Sequence, residues 1–193
     1  MQISGRLVII VMFALAFAMA GGAWLYQYNY SRRSAEFWGE SSRLIGKSPE
    51  LQFLQLAPVS QGEESGGDLE NAVAGRAVTA HHDLRNAKGL IHLRHIFIQD
   101  DNFLWDDRSR EPAASERHWA YALRFVEGAN EQIVLLGNDF QIIGKLSANG
   151  EQVDVLPCPR IAGPLQRYLT DVGALKPAAK DDDKPAAAEP AAR

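Results

Sequence analysis

Residues 119–156 run WAYALRFVEGANEQIVLLGNDFQIIGKLSANGEQVDVL, and the class of fold turns on them. Over 119–126 the side chains alternate with the period of two that an extended chain imposes. Trp119, Tyr121, Leu123 and Phe125 fall on one face, and Ala120, Ala122, Arg124 and Val126 on the other. Gly128-Ala129-Asn130 makes a turn, and 132–136 (QIVLL) is apolar on both faces, as in a strand covered from both sides. Gly137-Asn138-Asp139 turns the chain again. In 140–146 (FQIIGKL), Phe140, Ile142 and Leu146 then point inward, with Gln141 and Lys145 outward. Asn149-Gly150 suits a tight type I′ turn because both residues accept positive φ, and 152–156 closes the meander. Connections this short make neighbouring strands antiparallel.

An antiparallel meander with one apolar face needs a cover, and the flanking sequence offers helices for it. Residues 161–172 (IAGPLQRYLTDV) predict a helix with Leu165, Tyr168, Leu169 and Val172 as its apolar side and Pro164 in its first turn. Residues 83–99 predict a second, capped by Asp83 or Asn86. Its apolar face is Leu90, Leu93 and Phe97, widened by Ile91, Ile96 and Ile98. Gly89 weakens its start and implies either a close backbone contact or a later beginning. Two further strands are expected at 50–58, with Leu51 and Phe53 on one face and Leu54 and Leu56 on the other, and at 76–82. Residues 59–75 and 100–118 are polar connections, the second pinned by Phe103, Leu104 and Trp105. The expected class is therefore α+β, an antiparallel β-meander packed by two or three helices.

At the N-terminal side, residues 7–26 (LVIIVMFALAFAMAGGAWLY) carry no charge and are long enough to cross a hydrocarbon layer of ~30 Å as a helix. Leu7, Ile9, Ile10, Phe13, Leu15, Phe17, Trp24, Leu25 and Tyr26 are the anchor residues of that reading. The competing reading is a removable export signal with Ala18-Met19-Ala20 as the A-x-A cleavage site. The length of the run and the aromatic belt of Trp24, Tyr26, Tyr28 and Tyr30, rings that favour a membrane–water boundary, point to retention. The flanks disagree on orientation: Arg32, Arg33, Arg43 and Lys47 outnumber Arg6, whereas a short positive leader is typical of exported anchors. Membrane lipid is the expected contact of this segment, in a single-pass protein of the bacterial inner-membrane type. Residues 31–47 continue as an amphipathic helix with Phe37, Trp38, Leu44 and Ile45 as its stripe, Gly39 marking a break in it. The expected organisation is an anchor at 1–30, a juxtamembrane helix at 31–49, an α+β domain at 50–175 and a disordered Pro/Ala-rich tail at 176–193.

Composition narrows the function classes. A net charge of −4 and no basic stripe argue against nucleic acid as a partner. The single cysteine, Cys158 between two prolines, allows no internal disulfide and reads as a small buried hydrophobe at a strand end. No phosphate-cradling glycine loop and no nucleophile elbow is present, so no cofactor is implied. The one constellation with metal-ligand chemistry is His81, His82 and Asp83 with His92 and His95, the last two at the i, i+3 spacing that points two imidazoles the same way. Lys88 and Gln99 share that helix face, which favours a solvated surface. The acid pairs Asp100-Asp101 and Asp106-Asp107 flank Trp105 and read as loop carboxylates, with Arg94 and Arg124 as ion-pair partners. The sequence thus favours a non-catalytic interaction or assembly domain at a membrane, with a membrane protein as its partner. A tethered metal- or ligand-binding domain built on the histidines, enzymatic or not, is the alternative.

Overall fold

The computed structural model describes residues 5–58, 72–113 and 119–176 of the chain. Helix α1 spans Gly5–Trp38 and α2 Ser41–Lys47; strand β1 follows at Glu50–Leu56. A short β2, Ala72–Val73, and β3, Arg76–Asp83, lead to helix α3, Leu90–Ile96. Two 3-10 turns, Asp100–Asn102 and Trp105–Asp107, precede β4, Ser109–Pro112. The meander is β5 Trp119–Glu127, β6 Asn130–Gly137, β7 Ile142–Leu146 and β8 Gln152–Pro157, and α4 closes at Pro159–Asp171. The strands form one eight-stranded sheet in the order β2-β3-β1-β5-β6-β7-β8-β4. Every pairing in it is antiparallel. Of the tail expected at 176–193, all but Lys176 lies outside the described residues.

The sheet is apolar on both faces, which the double burial of β1 and β6 requires. On one face lie Leu51, Phe53, Leu123, Phe125, Val134, Leu136, Ile143 and Leu156, covered by all four helices. The helices contribute Phe37 and Trp38 from α1, Ile45 from α2, Leu93 from α3, and Ile161, Leu165 and Leu169 from α4. The opposite face gathers Leu54, Leu56, Val73, Trp119, Ala122, Leu135, Leu146, Val153 and Val155, with no helical residue among them. Val73 comes from one edge of the sheet and Ala113 from beside the other, so the sheet curls to bring both rims onto that face.

Several expectations are corrected. Trp119 does not share a face with Tyr121, Leu123 and Phe125. A register shift between Trp119 and Tyr121 adds one residue to β5 and throws the indole to the other side, beside Ala122. There it lies over Gly144, where a Cβ would stand 2.8 Å from its Cη2 and 2.4 Å from Cγ1 of Val153. The strand after Phe140 begins only at Ile142, because Phe140 sits in the preceding turn at φ 60°. That change of phase buries Ile143 beneath the helices, leaves Ile142 on the other face and turns Lys145 toward α1. Asn149-Gly150 is not a two-residue loop: Ser147 and Gln152 close a longer connection, with Gly150 alone at positive φ.

The helix expected over 83–99 is one strand end plus a short helix. Asp83 still pairs with Gln52 in β3, and α3 starts after Gly89, whose φ of 79° breaks the pattern and whose Cα faces the Tyr168 ring. Ile91 of the expected apolar face is 76% exposed, whereas Arg94 is buried. In α4 it is Pro159 that occupies the first turn, and Pro164 stands inside the helix. The connections hold two strands not foreseen, β2 and β4, the latter a polar four-residue edge on β8.

Candidate functional site

Two places in the molecule combine unusual geometry with access: the junction where α1 enters the domain, and a cleft at the far end of the sheet.

Helix α1 is continuous for 34 residues. Its stretch Gly5–Tyr26 is long and apolar enough to cross a membrane and none of it is buried in the domain. The residues expected to form the anchor, Leu7, Ile9, Ile10, Phe13, Leu15, Phe17, Trp24, Leu25 and Tyr26, are each 54–75% exposed. Trp24 stacks on Tyr28 and Tyr26 on Tyr30, each pair at 5.6 Å, which rigidifies the aromatic belt along the helix. Arg32 then pairs with Glu36 one turn on. From Ser34 the same helix enters the core: Ser34, Phe37 and Trp38 are buried.

Four contacts lock that entry. The Asp100 carboxylate accepts from the main-chain N–H groups of Arg33 and Ser34, at 2.9 and 2.7 Å. Inside a helix those amides would normally turn to carbonyls four residues back, so the carboxylate intrudes on the helix's own ladder and acts as a cap supplied from 66 residues away. Trp38 Nε1 donates to the Phe97 carbonyl at 2.6 Å. Lys145 Nζ donates to the carbonyls of Phe37 and Trp38 at 2.8 and 3.0 Å, where the helix end leaves acceptors unsatisfied and a cation is favoured. Burial lowers the Lys145 pKa from its ordinary value. Phe37 is sandwiched by Trp38, the Trp105 edge and the Arg108 guanidinium, 5.1 Å from its centroid. Trp105 in turn donates to the Asp100 carbonyl, which fixes the capping residue. Gly39, at φ 54°, then turns the chain into α2.

Beside this junction a cleft of about 390 Å³ is lined by Arg33, Asp100, Asp101, Leu104, Trp105 and Arg160, among others. A larger one, about 1010 Å³, lies between α2, the β5–β6 and β7–β8 hairpins and the β2–β3 turn. Its apolar floor is Leu44, Val73, Ile133 and Leu146, and Glu40, Arg43, Glu127 and Glu131 stand around it. Arg43 pairs with Glu127 and Arg124 with Glu131, so this rim is largely self-neutralised. Gln132 is held beneath it by Ser41 and by the Leu146 carbonyl. The two clefts mark opposite ends of the meander. The 3-10 turns that receive α1 are bonded to Pro157 at the end of β8, whereas the large cleft opens at the start of that strand.

The expected metal ligands do not converge. His81 pairs with Leu54 and His82 with Phe53, so the two imidazoles leave opposite faces of β3. His82 lies against the Phe53 ring. The Asp83 carboxylate accepts from the N–H and Nε of Arg85, which lowers its pKa, the backbone bond first among the causes. His92 and His95 are exposed on α3, and His95 Nδ1 lies 3.2 Å from Gln99 Nε2. Among the described residues no group of three or more His, Cys, Asp or Glu side chains is placed to hold a metal ion. Arg94 does not pair with an acid but donates to the Ser48 carbonyl. Cys158 is fully buried, its Sγ 3.4 Å from the Phe140 carbonyl, and burial pushes its thiol up to about 12, away from nucleophilic use. The role of Asp100 escaped the sequence reading because its partners are main-chain amides, which leave no residue signature. No family model matches the chain, and neither a curated protein nor a solved structure does.

Proposed function

We propose that the chain is a single-pass membrane-anchored protein whose domain is a non-catalytic interaction or assembly module at the cell membrane, docking a membrane-protein partner. In this reading residues 1–30 anchor, 31–49 join anchor to domain, and 50–175 carry the partner surface. The observation that supports it is the unbroken course of α1 from an apolar, exposed span into the buried core. A chain that needed only tethering is served by a flexible linker; one that must hold a surface at a set orientation gains from a helix shared by both parts. The cleft of about 1010 Å³ opens away from the end at which α1 enters, where a partner has access to it. More than half of its lining residues are short, among them Ser41, Ala74, Gly75, Ala129, Ala148 and Gly150, a surface suited to recognising a peptide or loop rather than to acid–base chemistry. The dispersed histidines give the metal-binding alternative no support.

The test has two parts. The chain should stay with the membrane pellet on alkaline carbonate extraction, and its release would sink the anchored reading. A photo-crosslinking residue placed at Ala129 or Ala148 in the cleft should yield one discrete protein adduct in cells, while one at Ile91 on α3 yields none. Equal labelling from all three positions would overturn the module reading.

A further inference from the structure

The 3-10 turn Asp100–Asn102, which supplies the carboxylate that holds α1, is itself seated on the end of α3. The seat is a series of side-chain amides. Asn102 Nδ2 donates to the Ile96 carbonyl at 2.8 Å and to Gln99 Oε1 at 3.3 Å. Gln99 Nε2 in turn lies 3.2 Å from Nδ1 of His95. In the same turn as Asn102, Asp100 accepts from the two α1 amides, and its carbonyl accepts from Trp105 Nε1. The series therefore joins an imidazole on the surface of α3 to the cap that fixes the anchor helix.

This series runs in one direction only. A main-chain carbonyl can only accept, so Ile96 obliges Asn102 to present its amide NH2. That group obliges Gln99 to turn its oxygen to Asn102, and hence its own NH2 to His95. Nδ1 of His95 must then accept, which puts the ring proton on Nε2. An imidazolium has no acceptor, since both of its nitrogens donate. A second proton on His95 sets donor against donor, and turning the Gln99 amide round only moves the clash to Asn102.

The surrounding charges do not offset that clash. Helix α3 packs on α2 and α4. Of their charged groups, Arg43 is paired with Glu127, Arg160 donates to the Asp101 carbonyl, and Lys47, Arg167 and Asp171 are exposed. On α3 itself Arg94 is turned to the Ser48 carbonyl and His92 is exposed, while in the turn beyond it Asp100 is held by α1 and Asp101 is exposed. Among the described residues no carboxylate is bonded to the His95 ring. We infer that His95 is a pH-sensitive switch on the seating of α1. While Nδ1 is bare the series is closed and Asp100 is held beneath the helix; as acid makes the imidazolium, the series opens and the cap loosens. Imidazoles make that charge change between about pH 5 and 8. The switch acts on how the domain holds α1, whatever docks in the large cleft.

The full-length chain in detergent micelles, isotope-labelled at the main-chain and indole nitrogens, tests this by magnetic resonance from about pH 8 to about pH 5. The Trp105 indole N–H, bonded to the Asp100 carbonyl, reports the seat. In the wild type its resonance should move as one proton is taken up. Protection of the Ser34 amide, corrected for the intrinsic effect of pH on exchange, should fall about two- to tenfold, the worth of one neutral hydrogen bond. His95→Gln supplies an acceptor that does not titrate, so both responses should vanish, whereas His92→Gln should behave as wild type. Gln99→Glu separates a switch from a merely structural contact. Its carboxylate accepts from the imidazolium and from Asn102 alike, so acid should tighten the seat and reverse the sign of both responses. His95 is exposed and Gln99 half-buried, so the variants should fold, which near-ultraviolet circular dichroism checks. A Trp105 resonance that stays flat in the wild type, titrates unchanged in His95→Gln, or moves in the wild-type sense in Gln99→Glu would overturn the proposal.

Discussion

Asp100 carries more of the architecture than its place in a polar loop suggests. A charged acceptor bonded to two main-chain amides contributes ~1.5–3 kcal/mol per bond, and its loss leaves both donors short of a partner. Asp100→Ala should lower stability by about 3 kcal/mol, and Asp100→Asn, which keeps one acceptor oxygen, by about half that. Thermal unfolding of the full chain in detergent, followed by tryptophan fluorescence, measures both. Substitution of Asp101, one residue on, should leave the melt unchanged. Cys158 gives a pH-dependent counterpart. Its thiol is raised from about 9 to about 12 by burial, so the folded state holds a proton that the unfolded chain releases at lower pH. Its contribution is complete below pH 9 and is lost as the pH climbs toward 12. The urea midpoint should fall across that window, and Cys158→Ala should flatten the fall. Of these two residues the cysteine was readable beforehand, because a small side chain between prolines at a strand end has few other uses. Asp100 was not, since a carboxylate facing amides 66 residues away looks like any loop acid.

Among the elements, the meander was readable because alternation in 119–126 and turn residues on either side of short apolar runs survive in the sequence. What it concealed was phase. One extra residue at Trp119 and one left-handed residue at Phe140 each flip a face, and neither alters composition. The stretch 83–99 misled for a related reason: a strand end, a turn and a seven-residue helix laid in series mimic a helical period. Strand β4 carried no apolar pattern, and the large cleft was hidden because it is assembled from turns far apart in the chain. The packing that phase creates is testable at Gly144. A methyl there meets Val153 and Trp119 well inside contact distance, from strands on either side. Gly144→Ala should cost about 1–3 kcal/mol through overpacking, seen in the chemical melt, and Gly144→Ala with Val153→Ala should recover part of the loss. Gly39 is a contrasting case: nothing crowds its Cα, yet φ 54° links α1 to α2, so Gly39→Ala should cost about 1 kcal/mol by backbone strain alone.

For the molecule as a whole, the span and the domain do not divide at the end of the apolar run. Phe37 and Trp38 are core residues of the domain carried on the anchor's helix. Truncation of either to alanine is expected to cost about 3–5 kcal/mol, against a total stability of about 5–15 kcal/mol for a domain. A chain beginning at Ser31 should therefore fold without a membrane, and one beginning at Glu40 should not. Near-ultraviolet circular dichroism and size exclusion decide between these outcomes; a folded chain from Glu40 would show that the junction is dispensable. The same helix also works as a ruler. Twelve residues separate Tyr26 from Trp38, a rise of ~18 Å along one continuous helix. A tether of coil lets a domain sample every height within its reach, so encounter there is a matter of local concentration. In the proposed reading, a continuous helix would present the cleft at one elevation and bearing, and a partner would have to match that stature above the bilayer before any side chain is read.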